Sequence, residues 1–318
     1  MKNSDFIQMT QCNIHSIKFP VDNVKEVLEG ATFEPADSYT TIELVKNPMT
    51  NTKVLELDNG LFFTLRTTFK KVTKELLSAK IYELKKSESL RDERLPKIVP
   101  NTDKEWRQTA EAHLLQVVPF SSELVNVFYC PEKELLFTNN RSKHSRLALN
   151  HLIKLFELAG FKSIVVSEEK LGLNTKLTNF LEKGEPLFKY LHFQHEATLR
   201  KLANDNEEFL TCRHLDTLDG KAKALGALQN GFRVQSMVMR YESEEAFIVN
   251  FKLDEHLKIL SMRFTEYADI ARQLNGTREA HKHAILTEYL EGQLNALLKI
   301  ASATVLEFTG ETKLESFV

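Results

Sequence analysis

Glycine is scarce in this chain, with 11 in 318 residues, about half of the roughly 7% usual in globular proteins. Folds that bring backbone up to a phosphate need glycine at the approach, so the shortage counts against a nucleotide-binding fold. Neither a GxxxxGK[ST] loop nor a GxGxxG turn between strand and helix is present, and HExxH and GxSxG are missing too. Together these absences argue against the familiar enzyme classes, and neither a cofactor nor a metal is expected. The 3 cysteines, Cys12, Cys130 and Cys212, are too far apart for a CxxC pair and too few for an even disulfide framework. They predict a reducing compartment. The N-terminus MKNSDFIQMTQCNIHSIKF has no apolar signal-peptide core, and no run approaches about 18 uninterrupted apolar residues, so a cytoplasmic protein is expected.

Metal ligation fits the histidines poorly. His281 and His283 are two apart and diverge on a helix, while His192 and His195 lack a neighbouring cysteine to complete a zinc site. The acidic clusters at Glu168-Glu169, Asp205 to Glu208 and Glu242 to Glu245 read as turns and lack the spacing of a metal-dependent nuclease. Most of the 21 phenylalanines sit at alternating or helical positions and read as core, so stacking platforms for single strands are not evident.

What the chain does have is a local excess of positive charge. Its net charge is only -2, yet Phe69 to Lys97 holds nine Lys or Arg against five Asp or Glu. A neutral protein with one cationic segment concentrates its field where it can meet a polyanion. The pattern predicts a helix from about Phe69 to Ser87. On it Lys71, Lys74, Ser78 and Lys85 share one stripe, with Lys70 beside it. Lys86, Arg91, Arg94 and Lys97 carry the charge on into a linker from Glu88 to Asn101 marked by Pro96 and Pro100. Lysine acts as an adaptable point charge toward phosphate oxygens. A solvated face laced with Glu75, Glu83 and Glu88 is the competing explanation. No helix places Asn, Gln and Arg at base-reading spacing, so any nucleic-acid contact would be to phosphate and indifferent to sequence.

Around this segment the pattern alternates between strands and helices without regular βαβ units, which predicts an α+β fold of antiparallel sheets with flanking helices. A strand at Asn13 to Phe19 and a helix from Asp22 to Gly30 come first. Strands follow at Thr40 to Val45, Lys53 to Leu57 and Leu61 to Arg66, the last two joined by the turn signal Asp58-Asn59-Gly60. Thr102 with Glu105 three residues on forms a capping box for a helix to about Val118. Leu124 to Tyr129 and Glu134 to Thr138 form a hairpin, a helix runs to Gly160, and Ser163 to Ser167 is a strand. Phe232 to Phe264 reads as a three-stranded meander, and helices at Glu266 to Leu274 and Thr277 to Val305 close the chain. Three regions are expected: 1–100 with the basic helix, 101–170, and 171–318 with the meander and terminal helices.

A set of short motifs runs through most of the chain in order: FEP at Phe33 to Pro35, LFFTLR at Leu61 to Arg66, AKIYELKKSE at Ala79 to Glu88, LLQVVPFS at Leu114 to Ser121, LTNFLEKG at Leu177 to Gly184 and LKIL at Leu257 to Leu260. In this order and spacing the chain resembles the bacterial recombination-associated RdgC family. The resemblance implies an elongated, curved subunit forming a ring-shaped homodimer, through which duplex DNA passes without sequence preference. It implies association with the nucleoid and restraint of the RecA recombinase, without enzymatic activity. By position it assigns the dimer contact to Phe120 with Arg213 and His214; on a DNA-binding reading the charge pattern gives phosphate contact to Lys70, Lys71, Lys74, Lys85 and Lys86, with Arg91, Lys258 and Arg263 as secondary contributors. The chain departs from the family at Ser261 and Met262, where basic residues are usual, at Phe180 in place of a tryptophan, and along Phe232 to Tyr241. Two other classes compete: a metal-dependent nuclease or recombination enzyme of unfamiliar layout, and an adaptor whose lysine helix meets an acidic partner.

Overall fold

A computed structural model describes residues 3–33, 35–89, 102–139, 142–158, 162–163, 173–203, 206–244, 246–256 and 258–309. It is an α+β protein whose strands all pair antiparallel. The first half contributes β1 (Asn13–Ser16), α1 (Val24–Gly30), β2 (Thr41–Val45), β3 (Val54–Leu57), β4 (Gly60–Lys70), α2 (Lys74–Ser89), α3 (Asp103–Val117), β5 (Phe120–Cys130), β6 (Leu135–Thr138), α4 (Lys143–Leu155) and β7 (Lys162–Ser163). The second half contributes α5 (Leu173–Lys183), β8 (Leu191–Ala203), β9 (Asn206–Arg213), α6 (Leu218–Gln229), β10 (Arg233–Ser243), β11 (Ala246–Asp254), β12 (Ile259–Phe264), α7 (Tyr267–Gly276) and α8 (Glu279–Thr309).

The strands form two sheets, one of seven strands in the order β2-β4-β5-β6-β1-β7 with β3 also on β4, the other of five in the order β12-β11-β10-β8-β9. Long β4 is tiled along one side by two short strands, β3 opposite its first half and β2 opposite its second. The Asp58-Asn59 turn sets the β3–β4 register, with Leu57 opposite Gly60. A Cβ at position 60 would run into the Tyr129 carbonyl, so only glycine fits where β4 crosses β5. Along its other side β4 pairs with β5 from Leu61↔Tyr129 to Lys70↔Phe120, which joins the first two sequence regions in one sheet.

Period-two alternation divides the seven-stranded sheet between two cores. Phe63, Leu65, Val125 and Val127 face α1 and α4. Phe62, Phe128 and Phe137 face the opposite way, into a core shared with the five-stranded sheet. Helix α8 lies against both β3 and β11 and buries Leu286, Tyr289, Leu290, Leu294, Leu297 and Ile300, while His281, His283, Glu288 and Ser302 stay exposed. Its apolar stripe is covered by protein, and no described helix is long and apolar enough to cross a membrane. Gln293 on this helix bonds the N-terminal segment twice, donating to the Ile7 carbonyl at 2.8 Å and accepting from Met9 N–H at 3.2 Å.

Several boundaries move from those expected, each for a visible reason. α1 starts at Val24 because the Asn23 side chain, not Asp22, accepts from Glu26 N–H. The basic helix starts at Lys74, because Phe69 is buried and stacked on His144 at 3.6 Å, which keeps the chain in β4 through Lys70. Thr73 then caps α2, its hydroxyl accepting from Leu76 N–H. The capping box at Thr102 and Glu105 is present in both directions. The predicted meander is present as β10, β11 and β12, but β8 and β9 extend it to five strands. Most of the linker, the end of the helix to Gly160 and most of the strand at Ser163 to Ser167 lie outside the described residues.

Candidate nucleic-acid interface

Helices α2 and α3 pack on one another and form an arm at the end of the long β4–β5 ribbon. α2 has no buried residue, and α3 buries only Ala110 and Leu114. An arm with so little core is held at its root, and the root is where Lys70 acts. Its ammonium donates to the carbonyls of Leu115 at 2.6 Å and Gln116 at 3.3 Å, in the last turn of α3. A cation at a helix C-terminus satisfies orphan carbonyls and complements the dipole. The same ammonium lies 4.9 Å from the Phe120 ring and 5.5 Å from the Tyr39 ring. Lys70 is therefore engaged within the fold. Lys70→Met is expected to lower unfolding free energy by about 1.5 kcal/mol, the scale of a charge-assisted bond, as measured by urea denaturation.

The remaining charges of the arm sort by their partners. Lys74, Ser78 and Lys85 are spaced i, i+4, i+11 and share one stripe of α2, while Lys71 precedes the helix. Lys85 bonds Asp103 of α3 at 2.9 Å, an exposed pair that ties the two helices with at most about 1 kcal/mol. The acids that compete with the lysines are largely committed. Glu83 pairs with Lys80 at 2.8 Å. The Glu75 carboxylate is turned back on its own backbone N–H and the Thr73 hydroxyl, which lower its pKa. Lys71, Lys74 and Lys86 are exposed, and none of them forms an ion pair with a described residue. Arg91 lies outside the described residues.

Lys258 and Arg263 belong to the five-stranded sheet. Lys258 is exposed in the β11–β12 turn, where its backbone N–H donates to Asp254 at 2.7 Å. Arg263 is exposed on β12 on the face turned away from the core. Register places it opposite Asn250, Asn250 opposite Arg240, and Arg240 opposite His192, a polar row across four strands. Cross-strand partners share a face, and this row lies on the face opposite buried Met239, Tyr241, Val249 and Phe251. Lys252, on the same face, donates to Thr198 at 3.1 Å. Arg240, His192 and Lys252 were not among the candidate residues. Alternation with apolar neighbours in FRVQSMVMRY and AFIVNFKL was the signal that could have found Arg240 and Lys252, whereas His192 stands on β8, where no strand was expected.

The residues assigned to the dimer contact lie in two places. Phe120 opens β5 at the foot of the arm and is 59% exposed, so it is not a core residue. Arg213 ends β9 and reaches Glu196 at 3.4 Å. His214 follows with φ 58, its carbonyl accepting from Thr217. Gly220 sits against that turn, where a Cβ would strike the His214 carbonyl.

A cleft of about 700 Å³ between α1 and the β3–β4 turn is lined by Lys25 and Glu56, which pair with each other at 3.0 Å. Among the described residues, no three His, Cys, Asp or Glu are grouped to hold a metal ion. No protein-family model matches the chain, and no curated protein matches its sequence.

Proposed function

We propose that the chain is a sequence-independent double-stranded DNA-binding protein of the RdgC type. It acts as a ring-shaped homodimer on the nucleoid and limits access of RecA to DNA. The carrying observation is the arm: a nearly coreless helical pair that presents Lys71, Lys74 and Lys86 to solvent while Glu75 and Glu83 of the same helix are engaged by the chain itself. Cations held out on an arm with no ion-pair partner among the described residues suit a dispersed polyanion, because each phosphate met releases a counterion. Lys258 and Arg263 supply a second set of exposed cations on the five-stranded sheet. Exposed Phe120 suits an aromatic anchor buried by a second subunit.

Fluorescence polarisation with short duplexes of unrelated sequence tests this. All should bind alike, and the triple variant Lys71→Glu, Lys74→Glu, Lys86→Glu should bind at least about 100-fold more weakly, since each reversal removes a phosphate contact and adds a repulsion. Unchanged affinity in the variant, or cleavage of the duplex in the presence of magnesium, overturns the reading.

A further inference from the structure

A groove of about 460 Å³ opens between the second half of α8 and the five-stranded sheet. Leu298, Ser302 and Ala303 line it from the helix, and Phe188, Tyr190 and Tyr241 from the entry of β8 and the end of β10. Ser302 and Ala303 are small, and in a close-packed protein the volume a larger side chain would take is left open there. Tyr190 is 43% exposed and held at φ 68, a left-handed conformation that a bulky residue keeps only where its surroundings impose it. Glu242 N–H imposes it, donating to the Tyr190 carbonyl at 3.0 Å. Lys189, its ammonium 4.5 Å from the Tyr190 ring, and Lys299 add positive charge to the lining. An apolar groove with a cationic rim suits an apolar side chain flanked by acid.

We propose that residues 310–318, GETKLESFV, fold back along α8 as a strap, with Leu314 in this groove and Glu315 at Lys299. These residues follow Thr309, the end of α8, and lie outside the described residues. Chain geometry selects Leu314. At about 1.5 Å per residue, Ala303 to Leu298 lie roughly 9 to 17 Å back along the helix from Thr309. A chain that reverses at Gly310, as helices commonly do at a glycine, and returns extended at about 3.3 Å per residue brings Leu314 roughly 13 Å back. That is the middle of the groove. Glu315 then comes roughly 17 Å back, level with Lys299 at about 15 Å. Successive side chains of an extended segment alternate, so Leu314 points in while Glu315 turns to the rim. The strap ties α8 to the entry of β8 and the end of β10. A segment tethered this closely is at high effective concentration, so it keeps other apolar segments out of the groove until it is displaced. The strap is independent of DNA and of the dimer.

The test uses DNA-free full-length protein. Ser302→Cys combined with Leu314→Cys, treated with oxidised glutathione, should close a disulfide within one chain, because the docked strap brings the two Cβ atoms to the roughly 4 Å that the bond spans. Ser302→Cys combined with Val318→Cys should not, because position 318 lies about 13 Å further along the strap, four residues at about 3.3 Å each. Cys12, Cys130 and Cys212 are buried and do not compete. Leu314→Asp should raise the fluorescence of the dye ANS at least about threefold by uncovering the groove, with an unchanged circular dichroism spectrum. Lys299→Glu should raise it at least about twofold, and adding Glu315→Lys should return it to the wild-type level. No cross-link between positions 302 and 314, equal cross-linking of both pairs, or dye fluorescence indifferent to Leu314→Asp overturns the proposal. So does a disulfide between chains, which would make a second copy the occupant. Duplex binding that is lost or kept in these variants bears on the DNA reading alone.

Discussion

Lowering the pH from 6.5 to 4 is expected to remove about 3 kcal/mol of folding stability through His15 alone. The ring is 3% exposed on β1, with Nε2 3.1 Å from the Thr138 hydroxyl. Burial disfavours the imidazolium and lowers its pKa to about 4, against 6.5 for the free side chain. Between these values the unfolded chain binds a proton that the native protein does not, so stability is fully present above pH 6.5 and falls as the pH drops toward 4. Below that both states are protonated and the contribution is flat. A gap of that size, at about 1.4 kcal/mol per unit, gives the stated loss. Urea unfolding of wild type and His15→Gln at pH 7, 5 and 4 isolates the effect. The variant should lose about 3 kcal/mol less than wild type over the window, and parallel losses would remove His15 as the cause.

Raising salt from 50 to 200 mM should weaken duplex binding by at least about 500-fold. Lys71, Lys74, Lys86, Lys258 and Arg263 are exposed cations that form no ion pair with a described residue. Five phosphate contacts predict a log–log slope near −4.5, and engagement of both subunits would double it. Lys70 and Lys85 are left out, because one serves the end of α3 and the other Asp103. Replacing Lys71, Lys74 and Lys86 together by Gln should flatten the slope by about 2.7 per subunit. A polarisation titration giving a slope near zero for wild type, or the same slope for wild type and variant, would remove phosphate contact as the source of affinity.

Much of the local structure was legible because its causes are local. The Thr102–Glu105 capping box, the Asp58-Asn59-Gly60 turn, the hairpin of β5 and β6 and the meander from β10 to β12 each depend on residues a few positions apart. β9 left no trace in the pattern, since a strand exposed on both faces does not alternate. Helix α5 did leave a helical stripe at Leu173, Leu177, Phe180 and Leu181, which went unread.

The sequence by itself determined the fold class, the turns and caps, and the location of the cationic segment. Only the tertiary structure decided which of those charges are free. Phe69 is drawn into the core by His144 and takes Lys70 with it into a strand, where its ammonium meets the end of a helix 45 residues further along the chain. The partners that neutralise a charge or bury a ring are set by packing between distant segments. For that reason the stripe read as Lys71, Lys74 and Lys85 becomes, in three dimensions, an exposed set of Lys71, Lys74 and Lys86.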